Sequence, residues 1–305
     1  MPDVMVAWVF PGQGAQEPGM GRDLYEKYGS ARDLFDRADT ILGRKLSTLC
    51  FEGPTDELNK TANSQPAIYV TSLACLAAAR EAGVVPGDAA YVAGHSLGEY
   101  TALAASGAFD FDAGLRLVEE RGRLTAAAAE ARRGSMAALL GLDEAAAQSA
   151  CDEAGAEVCN FNAPGQIVIG GDTDAIERAC ALAIERGAKR AIPLDVSGAF
   201  HTLLMQPAVE PFAQAVSSTG IRTPRIPFVA NKTAVATTDA AEIAAELVYQ
   251  LTHPVRWVQC VEYLAANGVT SAIEFGPGRV LTGLIKRIAP GMGLTNINTA
   301  ASIEK

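Results

Sequence analysis

The sequence predicts an α/β fold built on a mostly parallel β-sheet with helices on both faces. An apolar segment, Val4–Phe10, ends at Pro11-Gly12, which is typical of a strand buried on both faces. Short apolar segments then alternate with helical patterns, as a parallel sheet requires. From residue 135 the order becomes β-α-β-β-α-β within about seventy residues, which indicates an inserted ferredoxin-like unit.

Length and composition agree with this organisation. The chain has 305 residues, of which 49% are hydrophobic and 20% charged, enough for about two domains and a substantial core. We expect a large α/β core subdomain formed by 1–132 and 198–305, and a small ferredoxin-like subdomain inserted at 133–197. The net charge of −10 argues against binding to nucleic acid or to an anionic membrane, because both need excess Lys and Arg on one face.

The first part of the chain is predicted to be a strand, a loop and helices. The loop Gly12-Gln13-Gly14 allows close approach of backbone to a ligand, but Glu17 stands where a dinucleotide fingerprint needs its third glycine. Helical patterns follow at 23–42, 65–82 and 111–132. The longest apolar segment, Ala67–Ala79, lies between Pro66 and Arg80 and is predicted to be a buried helix rather than a membrane span.

The remaining elements follow the same patterns. Within the inserted unit, strands are predicted at 136–141, 157–162, 166–169 and 191–196. Its helices are predicted to begin at Asp143 and at Asp172-Thr173-Asp174. After His201, helices are predicted at 203–217, 240–251, 255–267 and 279–288, with strands at 226–230, 271–275 and 294–297. The loops at the carboxyl ends of parallel strands are the expected place for a ligand.

A serine at a strand-to-helix turn is the candidate nucleophile. Gly94-His95-Ser96-Leu97-Gly98 follows a short apolar strand and precedes a helix-forming segment. In an α/β-hydrolase-like core such a turn exposes the serine hydroxyl, and the flanking glycines sit where a Cβ would collide with the strand or the helix. The chain is rich in glycine, so the pattern alone also arises by chance; its position between strand and helix favours Ser96 as a nucleophile.

The base that would activate Ser96 is predicted by elimination. Imidazole is the usual base for a serine near neutral pH, and the chain has three histidines. His95 adjoins Ser96 and should point to the other side of the backbone, and His253 precedes Pro254 between two helices. His201 is therefore the candidate base, whereas without Ser96 a single histidine is more simply a core or surface residue.

The cysteines indicate neither disulfides nor a metal site. The six cysteines lie far apart, with no Cys-x-x-Cys pair and no nearby histidine. We expect reduced, mostly buried thiols, no bound metal and a cytoplasmic protein. The apolar Val4–Phe10 segment lacks the basic flank of a signal peptide, since the first basic residue is Arg22.

Seven motifs follow one another along the chain. They are Phe10-Pro11-Gly12-Gln13-Gly14-Ala15-Gln16, Gly94-His95-Ser96-Leu97-Gly98-Glu99-Tyr100, Glu120-Arg121-Gly122, Asn160-Phe161-Asn162-Ala163-Pro164-Gly165-Gln166, Ser197-Gly198-Ala199-Phe200-His201, Gln250-Leu251 with Pro254-Val255-Arg256-Trp257, and Glu274-Phe275-Gly276-Pro277-Gly278. They extend from residue 8 to about residue 288, and their joint occurrence is far more specific than any one of them. In this order they resemble the malonyl-CoA:acyl carrier protein transacylase family of fatty-acid and polyketide synthesis.

The resemblance implies a ping-pong transfer of malonyl from malonyl-CoA to the phosphopantetheine thiol of acyl carrier protein. Ser96 would be the nucleophile and His201 the base. The backbone N–H groups of Gln13 and Leu97 would form the oxyanion hole, and the carbonyl of Gln250 would orient the histidine. No cofactor is implied beyond the CoA thioester and the phosphopantetheine that the partner carries.

The resemblance also implies how the acyl group is selected. Arg121 would bind the malonyl carboxylate with two parallel hydrogen bonds, whereas on the sequence alone it is a surface helix residue paired with Glu119 or Glu120. Phe200 would narrow the pocket against an α-methyl group, or is simply a core aromatic. The implied substrate-pocket residues are Phe200, Asn162, Met136 and Val280.

Two alternative functions remain open at this point. A serine hydrolase or thioesterase shares the serine turn but gives the acyl group to water, and a non-catalytic carrier-protein-binding subunit would need neither Ser96 nor His201. A trans-acting polyketide acyltransferase with a broader acyl range is a variant of the main hypothesis. Docking of an acidic carrier protein would need a local basic face, whose candidates are Lys189, Arg190, Arg279, Lys286 and Arg287.

Overall fold

The computed structural model describes residues 5–85 and 87–304. Val4, the first residue of the predicted first strand, lies outside these ranges, as do the terminal positions of the predicted large subdomain. The strands are β1 (Met5–Phe10), β2 (Tyr91–Gly94), β3 (Ser135–Leu140), β4 (Glu157–Ala163), β5 (Gln166–Gly171), β6 (Arg190–Pro193), β7 (Phe228–Val229), β8 (Ala236–Thr237), β9 (Val269–Phe275) and β10 (Gly293–Ile297).

The helices cover most of the remaining chain. They are α1 (Arg22–Lys27), α2 (Gly29–Leu42), α3 (Leu46–Glu52), α4 (Thr55–Asn59), α5 (Thr61–Glu81), α6 (Gly98–Ser106), α7 (Phe111–Ala131), α8 (Glu144–Ala154), α9 (Thr173–Glu185), α10 (Gln206–Ser218), α11 (Ala240–Tyr249), α12 (Trp257–Ala266), α13 (Val280–Ile288) and α14 (Ala300–Ile303). Single 3₁₀ turns at Leu203–Met205 and Gln250–Thr252 precede α10 and follow α11.

The core is a six-stranded sheet in the order β10-β9-β1-β2-β7-β8, and the first five strands are parallel. Only β8, which the sequence did not predict, runs antiparallel, against β7. Two buried clusters cover the two faces of this sheet. This confirms the predicted α/β fold with a parallel-sheet core.

The second sheet is antiparallel and comes from residues 135–193. Its order is β4-β5-β3-β6, with β3 central and paired with both β5 and β6. With α8 and α9 packed on it, this is the strand order of a ferredoxin-like unit, and it has a core of its own. The boundaries of the inserted subdomain at 133 and 197 stay a prediction.

Some predicted helices were wrong in their bounds. The predicted helix 23–42 is two helices, because Tyr28 has an extended backbone that separates α1 from α2. Helix α5 begins at Thr61 rather than near Gln65, so it contains Pro66 as its sixth residue, beyond the first turn in which a proline is normally found. The short helices α3, α4 and α14 were not predicted, since each carries too few residues to show a helical period.

The register of β1 and β2 brings two loops of the predicted site together. Phe10 pairs with Gly94, so the loop containing Gln13 and the turn containing Ser96 leave the same edge of the sheet. The two glycines of this turn are required by contact: a Cβ on Gly94 would lie 1.9 Å from the carbonyl carbon of Gly98, and one on Gly98 would lie 2.0 Å from the carbonyl oxygen of Phe10. Among the described residues, no helix is long and apolar enough to cross a membrane.

Candidate active site

Ser96 occupies the turn between β2 and α6 in a left-handed backbone conformation. Its φ is 52°, which is unusual for a residue other than glycine and holds the hydroxyl away from the strand and the helix. The predicted strand, turn and helix are all present around it.

His201 lies against Ser96. Its Nε2 is 2.8 Å from the Ser96 hydroxyl oxygen, and its Nδ1 is 2.8 Å from the backbone carbonyl oxygen of Gln250. A carbonyl can only accept, so Nδ1 carries the proton and Nε2 presents its lone pair to the hydroxyl. His201 also has a left-handed backbone, with φ 62°, and is buried. The structure therefore brings Ser96, His201 and Gln250 together in the arrangement that a histidine base requires.

The protonation of His201 gives a first testable prediction. Burial, and then the positive charge of Arg121, lower the pKa of His201 from 6.5 to about 3. We expect the ring-nitrogen NMR shifts of His201 to stay those of a neutral imidazole from about pH 8 down to about pH 5. A titration midpoint near the ordinary value would contradict the buried, Arg121-facing position.

The same shift has a consequence for stability. The folded pKa of His201 lies below the unfolded one, so the unfolded chain binds a proton in a pH range where the folded chain does not. This group therefore lowers the free energy of unfolding progressively as the pH falls from 6.5 towards about 3.

Arg121 is buried in the site and does not pair with its helical neighbours. Its Nη2 donates to the Ser96 hydroxyl oxygen at 3.1 Å and to Oε1 of Gln250 at 2.9 Å, and its Nη1 donates to Oε1 of Gln65 at 2.7 Å. Glu119 and Glu120 instead pair with Arg44 and Arg123. The surface interpretation of Arg121 is therefore wrong, because the guanidinium points inward, towards the nucleophile.

The structure leaves one side of the Arg121 guanidinium unpaired. Its Nε is buried and finds no hydrogen-bond acceptor among residues 5–85 and 87–304. A buried donor without an acceptor costs about 1–3 kcal/mol. This position therefore favours a ligand that brings an acceptor, and a carboxylate is the best match for a guanidinium.

Two backbone N–H groups are free beside Ser96. In the described part of the chain, neither the N–H of Gln13 nor that of Leu97 donates a hydrogen bond to a protein acceptor. Two free N–H groups on adjoining loops are what an oxyanion hole needs.

The side chain of Gln13 is held separately from its backbone N–H, since its Nε2 donates to the Thr61 hydroxyl at 3.1 Å. Thr61 and Ser197 form a hydrogen bond of 2.9 Å, and both line a neighbouring cavity of about 580 Å³.

Three buried polar residues around the serine turn were not singled out from the sequence. Asn231 follows β7 and accepts a hydrogen bond from the Ser96 N–H, at 2.8 Å. Glu99 accepts from the Asn231 N–H at 2.7 Å and from Nε2 of Gln250. Gln65 binds Arg121 from α5. One signal could have pointed to Asn231: it follows a strand next to β2, and ligands of a parallel sheet bind where its strands end.

The carboxyl of Glu99 is fully buried, and burial together with the nearby Glu246 raises its pKa well above the usual range. Burial also raises the pKa of Glu246, to about 7. Glu246 contacts other groups: its Oε1 accepts from the N–H of Lys232 at 2.8 Å.

The other predicted pocket residues lie at different depths. Asn162 is half-buried, with Oδ1 2.8 Å from Nε2 of His95, and so reaches the serine turn from β4. Phe200 is half-buried and packs against the main core. Met136 is buried in β3 and, with Thr202, closely surrounds Gly170, whereas Val280 is 47% exposed at the start of α13. The structure thus brings Asn162 to the serine turn, where it contacts His95, and leaves Val280 at the surface.

The cysteines agree with the sequence analysis. All six cysteines are free, and five of them are buried. Within the described ranges, no group of three or more His, Cys, Asp or Glu side chains is arranged to hold a metal ion.

On a parallel-sheet α/β fold, the structure places a serine on a strand-to-helix turn, a histidine against its hydroxyl and two free N–H groups beside it. This combination defines the class of serine-dependent acyl-transfer proteins. The family model described as acyl transferase domain matches residues 7–301. The chain belongs to the malonyl-CoA:acyl carrier protein transacylase family, as its similarity to individual members shows.

Three relatives illustrate that similarity. The malonyl CoA-acyl carrier protein transacylase of Bacillus subtilis is 43% identical over 304 residues, which cover 98% of this chain and 95% of the relative. The crystal structure of an acyl carrier protein S-malonyltransferase from Vibrio cholerae has a TM-score of 0.93 at 43% identity, with 98% of both chains covered. A malonyl-transacylase solved in complex with a type II PKS acyl carrier protein has a TM-score of 0.93 at 41% identity, again with 98% of both chains covered.

Proposed function

We propose that this protein transfers the malonyl group from malonyl-CoA to the phosphopantetheine thiol of acyl carrier protein, through a malonyl ester on Ser96. One observation carries the proposal: the Ser96 hydroxyl lies within hydrogen-bond distance of both a histidine base and a buried guanidinium, at 2.8 Å from His201 Nε2 and 3.1 Å from Arg121 Nη2. The first contact supplies a nucleophile and the second a binding group for the free carboxylate of malonyl.

The first half of the reaction forms the ester. His201 Nε2 takes the proton from Ser96 as the serine oxygen attacks the thioester carbonyl, and negative charge moves to the carbonyl oxygen. The N–H groups of Gln13 and Leu97 stabilise that charge. The C–S bond then breaks, and His201 returns its proton to the departing CoA sulfur.

The second half runs through the same groups in reverse. His201 removes the proton of the phosphopantetheine thiol, whose sulfur attacks the ester carbonyl of malonyl-Ser96. Collapse of the tetrahedral intermediate breaks the ester C–O bond, and His201 returns the proton to Ser96. Proton transfer and acyl exchange between oxygen and sulfur involve no change of oxidation state, so we propose that the enzyme works without a cofactor.

Arg121 is proposed to select malonyl among acyl groups. Its Nε–H has no acceptor and its Nη2 lies beside the nucleophile, so an acyl group without a carboxylate leaves the Nε–H unpaired in a buried site. Phe200 is proposed to narrow the same pocket, and Asn162 and Met136 to line it. Val280, exposed at the start of α13, is proposed to contact the substrate only where the CoA or phosphopantetheine arm enters.

Carrier protein docking is proposed to use exposed basic residues at β6 and α13. Lys189 and Arg190 lie at β6, and Arg279 and Lys286 at α13, all exposed. Arg287 has a different role, since it donates to Gln166 and to the carbonyl of Pro164 and so ties α13 to the turn between β4 and β5. We propose a cytoplasmic location, which six free cysteines support.

A serine hydrolase with the same turn is the competing function. It would give the acyl group to water, for which a buried guanidinium at the nucleophile has no use. Hydrolysis of malonyl-CoA faster than transfer in the presence of carrier protein would establish it.

The second prediction tests the covalent intermediate. Incubation with malonyl-CoA and no acceptor is expected to add one malonyl group to the peptide containing Ser96, detectable by mass spectrometry, and added carrier protein should remove it. Ser96→Gly is the matched control, because glycine adopts φ 52° without strain and lacks the hydroxyl. A label that is absent from the wild-type protein, or that persists in Ser96→Gly, would contradict the assignment.

A further inference from the structure

Asn231 braces the serine turn from the loop that follows β7. Its Oδ1 accepts the Ser96 N–H at 2.8 Å, and its Nδ2 donates to the Gly94 carbonyl at 2.8 Å, so one amide spans both sides of the turn. The side chain is fully buried. The brace therefore fixes the turn at the residue whose backbone is in the left-handed region.

Asn231 also determines which N–H groups of the turn stay free. Two successive N–H groups, those of Ser96 and Leu97, emerge at the start of α6. The first is occupied by Asn231, whereas the second finds no acceptor in the described ranges. Because the Ser96 N–H is occupied and the Leu97 N–H is free, the Leu97 N–H is the one that can bind an oxyanion.

Glu99 connects this brace to the residues that hold the base and the cation. One carboxylate oxygen accepts from the Asn231 backbone N–H at 2.7 Å, and the other accepts from Nε2 of Gln250. Gln250 in turn donates from Nε2 to the Ser96 carbonyl at 3.1 Å, accepts from Arg121 on Oε1, and accepts from His201 on its backbone carbonyl. The single buried carboxyl group of Glu99 thus links the loops that carry Asn231 and Gln250 to the helix that follows Ser96.

We propose that Glu99 is the positioning residue of this site: its two carboxylate oxygens hold Asn231 and Gln250, and through them the Ser96 turn, His201 and Arg121, in reacting geometry. The inference rests on Ser96 being the nucleophile, as the proposed function states. Neither oxygen touches a reacting atom, so Glu99 acts through its two neighbours. A shift of about 1 Å in such a constellation lowers rates by about a hundredfold.

Glu99→Gln tests the link at constant size. Both oxygens of Glu99 accept hydrogen bonds, whereas glutamine has one oxygen and one NH₂ group, so in either orientation its NH₂ group faces the N–H of Asn231 or the NH₂ of Gln250. Glu246→Gln is the matched control: Glu246 is a buried carboxyl near Glu99 whose hydrogen bond comes from the N–H of Lys232, so this variant removes the electrostatic neighbour of Glu99 and keeps both hydrogen bonds that Glu99 accepts. Asn231→Ala, which removes the brace and keeps the backbone bond to Glu99, is a second variant.

The rates to compare are those of Ser96 modification by three reagents. Malonyl-CoA and acetyl-CoA report acylation, and a phenylmethanesulfonyl fluoride probe reports the nucleophile and its base independently of acyl specificity. We expect Glu99→Gln and Asn231→Ala to slow all three by about 30-fold to 100-fold, and Glu246→Gln by less than about twofold, with thermal midpoints measured for each.

The outcomes separate positioning from stability. Wild-type rates in Glu99→Gln or in Asn231→Ala overturn the proposal. Equal losses in Glu99→Gln and Glu246→Gln at equal thermal midpoints also overturn it, since any buried carboxyl would then serve. If the wild-type serine reacts with the sulfonyl fluoride but does not transfer malonyl, the proposed function fails while the role of Glu99 is still decided by the same comparison.

Discussion

His201→Asn is expected to lower the rate of Ser96 acylation by malonyl-CoA about 10⁴-fold. Without an imidazole, the hydroxyl has no base at the 2.8 Å position that Nε2 occupies, and the leaving sulfur has no acid. Asparagine is the sharpest substitution here, because it tolerates the φ of 62° at this position better than alanine does. The measurement is the single-turnover rate of ester formation at saturating malonyl-CoA.

The matched control for this variant is His253→Asn. His253 stacks on Tyr249 and its Nδ1 contacts the Tyr249 carbonyl, so its side chain is part of the helix connection rather than of the Ser96 constellation. It should retain acylation within about threefold. Comparable losses in both variants would mean that His201 supports the fold and that Ser96 is activated by another group.

The fold and the nucleophile were predictable because their signals are local. A buried parallel strand shows as a continuous apolar segment, and Gly94-x-Ser96-x-Gly98 encodes a turn in which a Cβ on either glycine would lie about 2 Å from backbone atoms. The ferredoxin-like unit was predictable for the same reason, since Asp143 begins α8 by accepting from the Ala146 N–H. Each of these signals is carried by a short stretch of sequence.

The positions of Arg121 and Gln65 could not be deduced in that way. Arg121 lies on a helix next to Glu119 and Glu120, and local spacing favours ion pairs that the structure instead forms between Glu120 and Arg123 and between Glu119 and Arg44. Its actual partners are 25, 56 and 129 residues away in the chain. Only the family resemblance indicated that Arg121 faces the site, because a family motif reflects a three-dimensional arrangement that local sequence spacing does not show.

Glu99 and Asn231 were missed for a related reason. Glu99 stands in the first turn of α6, where a carboxylate is favoured by the helix dipole and needs no further explanation. Its burial and its contact with a residue 132 positions later emerge only when α6 packs against the loop after β7. A buried carboxyl whose hydrogen-bond partners are all distant in sequence cannot be predicted from a local pattern.

Arg121→Ala is expected to reduce acylation by malonyl-CoA about 10³-fold while acylation by acetyl-CoA changes by less than about tenfold. The carboxylate of malonyl would lose its forked donor and be left buried without a cation, whereas acetyl brings no charge and is relieved of the unpaired Nε–H. The measurement is the ratio of the two single-turnover rates. Because the charge of Arg121 lowers the pKa of His201, the variant should also raise that pKa, which NMR can follow in the same sample.

The control for Arg121→Ala lies two residues further along the same helix. Arg123 is exposed and forms an ion pair with Glu120, so Arg123→Ala removes a guanidinium from α7 without touching the site, and both acylation rates should stay at their wild-type values. Equal loss of malonyl and acetyl transfer in Arg121→Ala would mean that the guanidinium serves only to hold Gln65 and Gln250. A selective loss of malonyl transfer instead requires that the carboxylate itself reaches Arg121, because no other part of the two substrates differs.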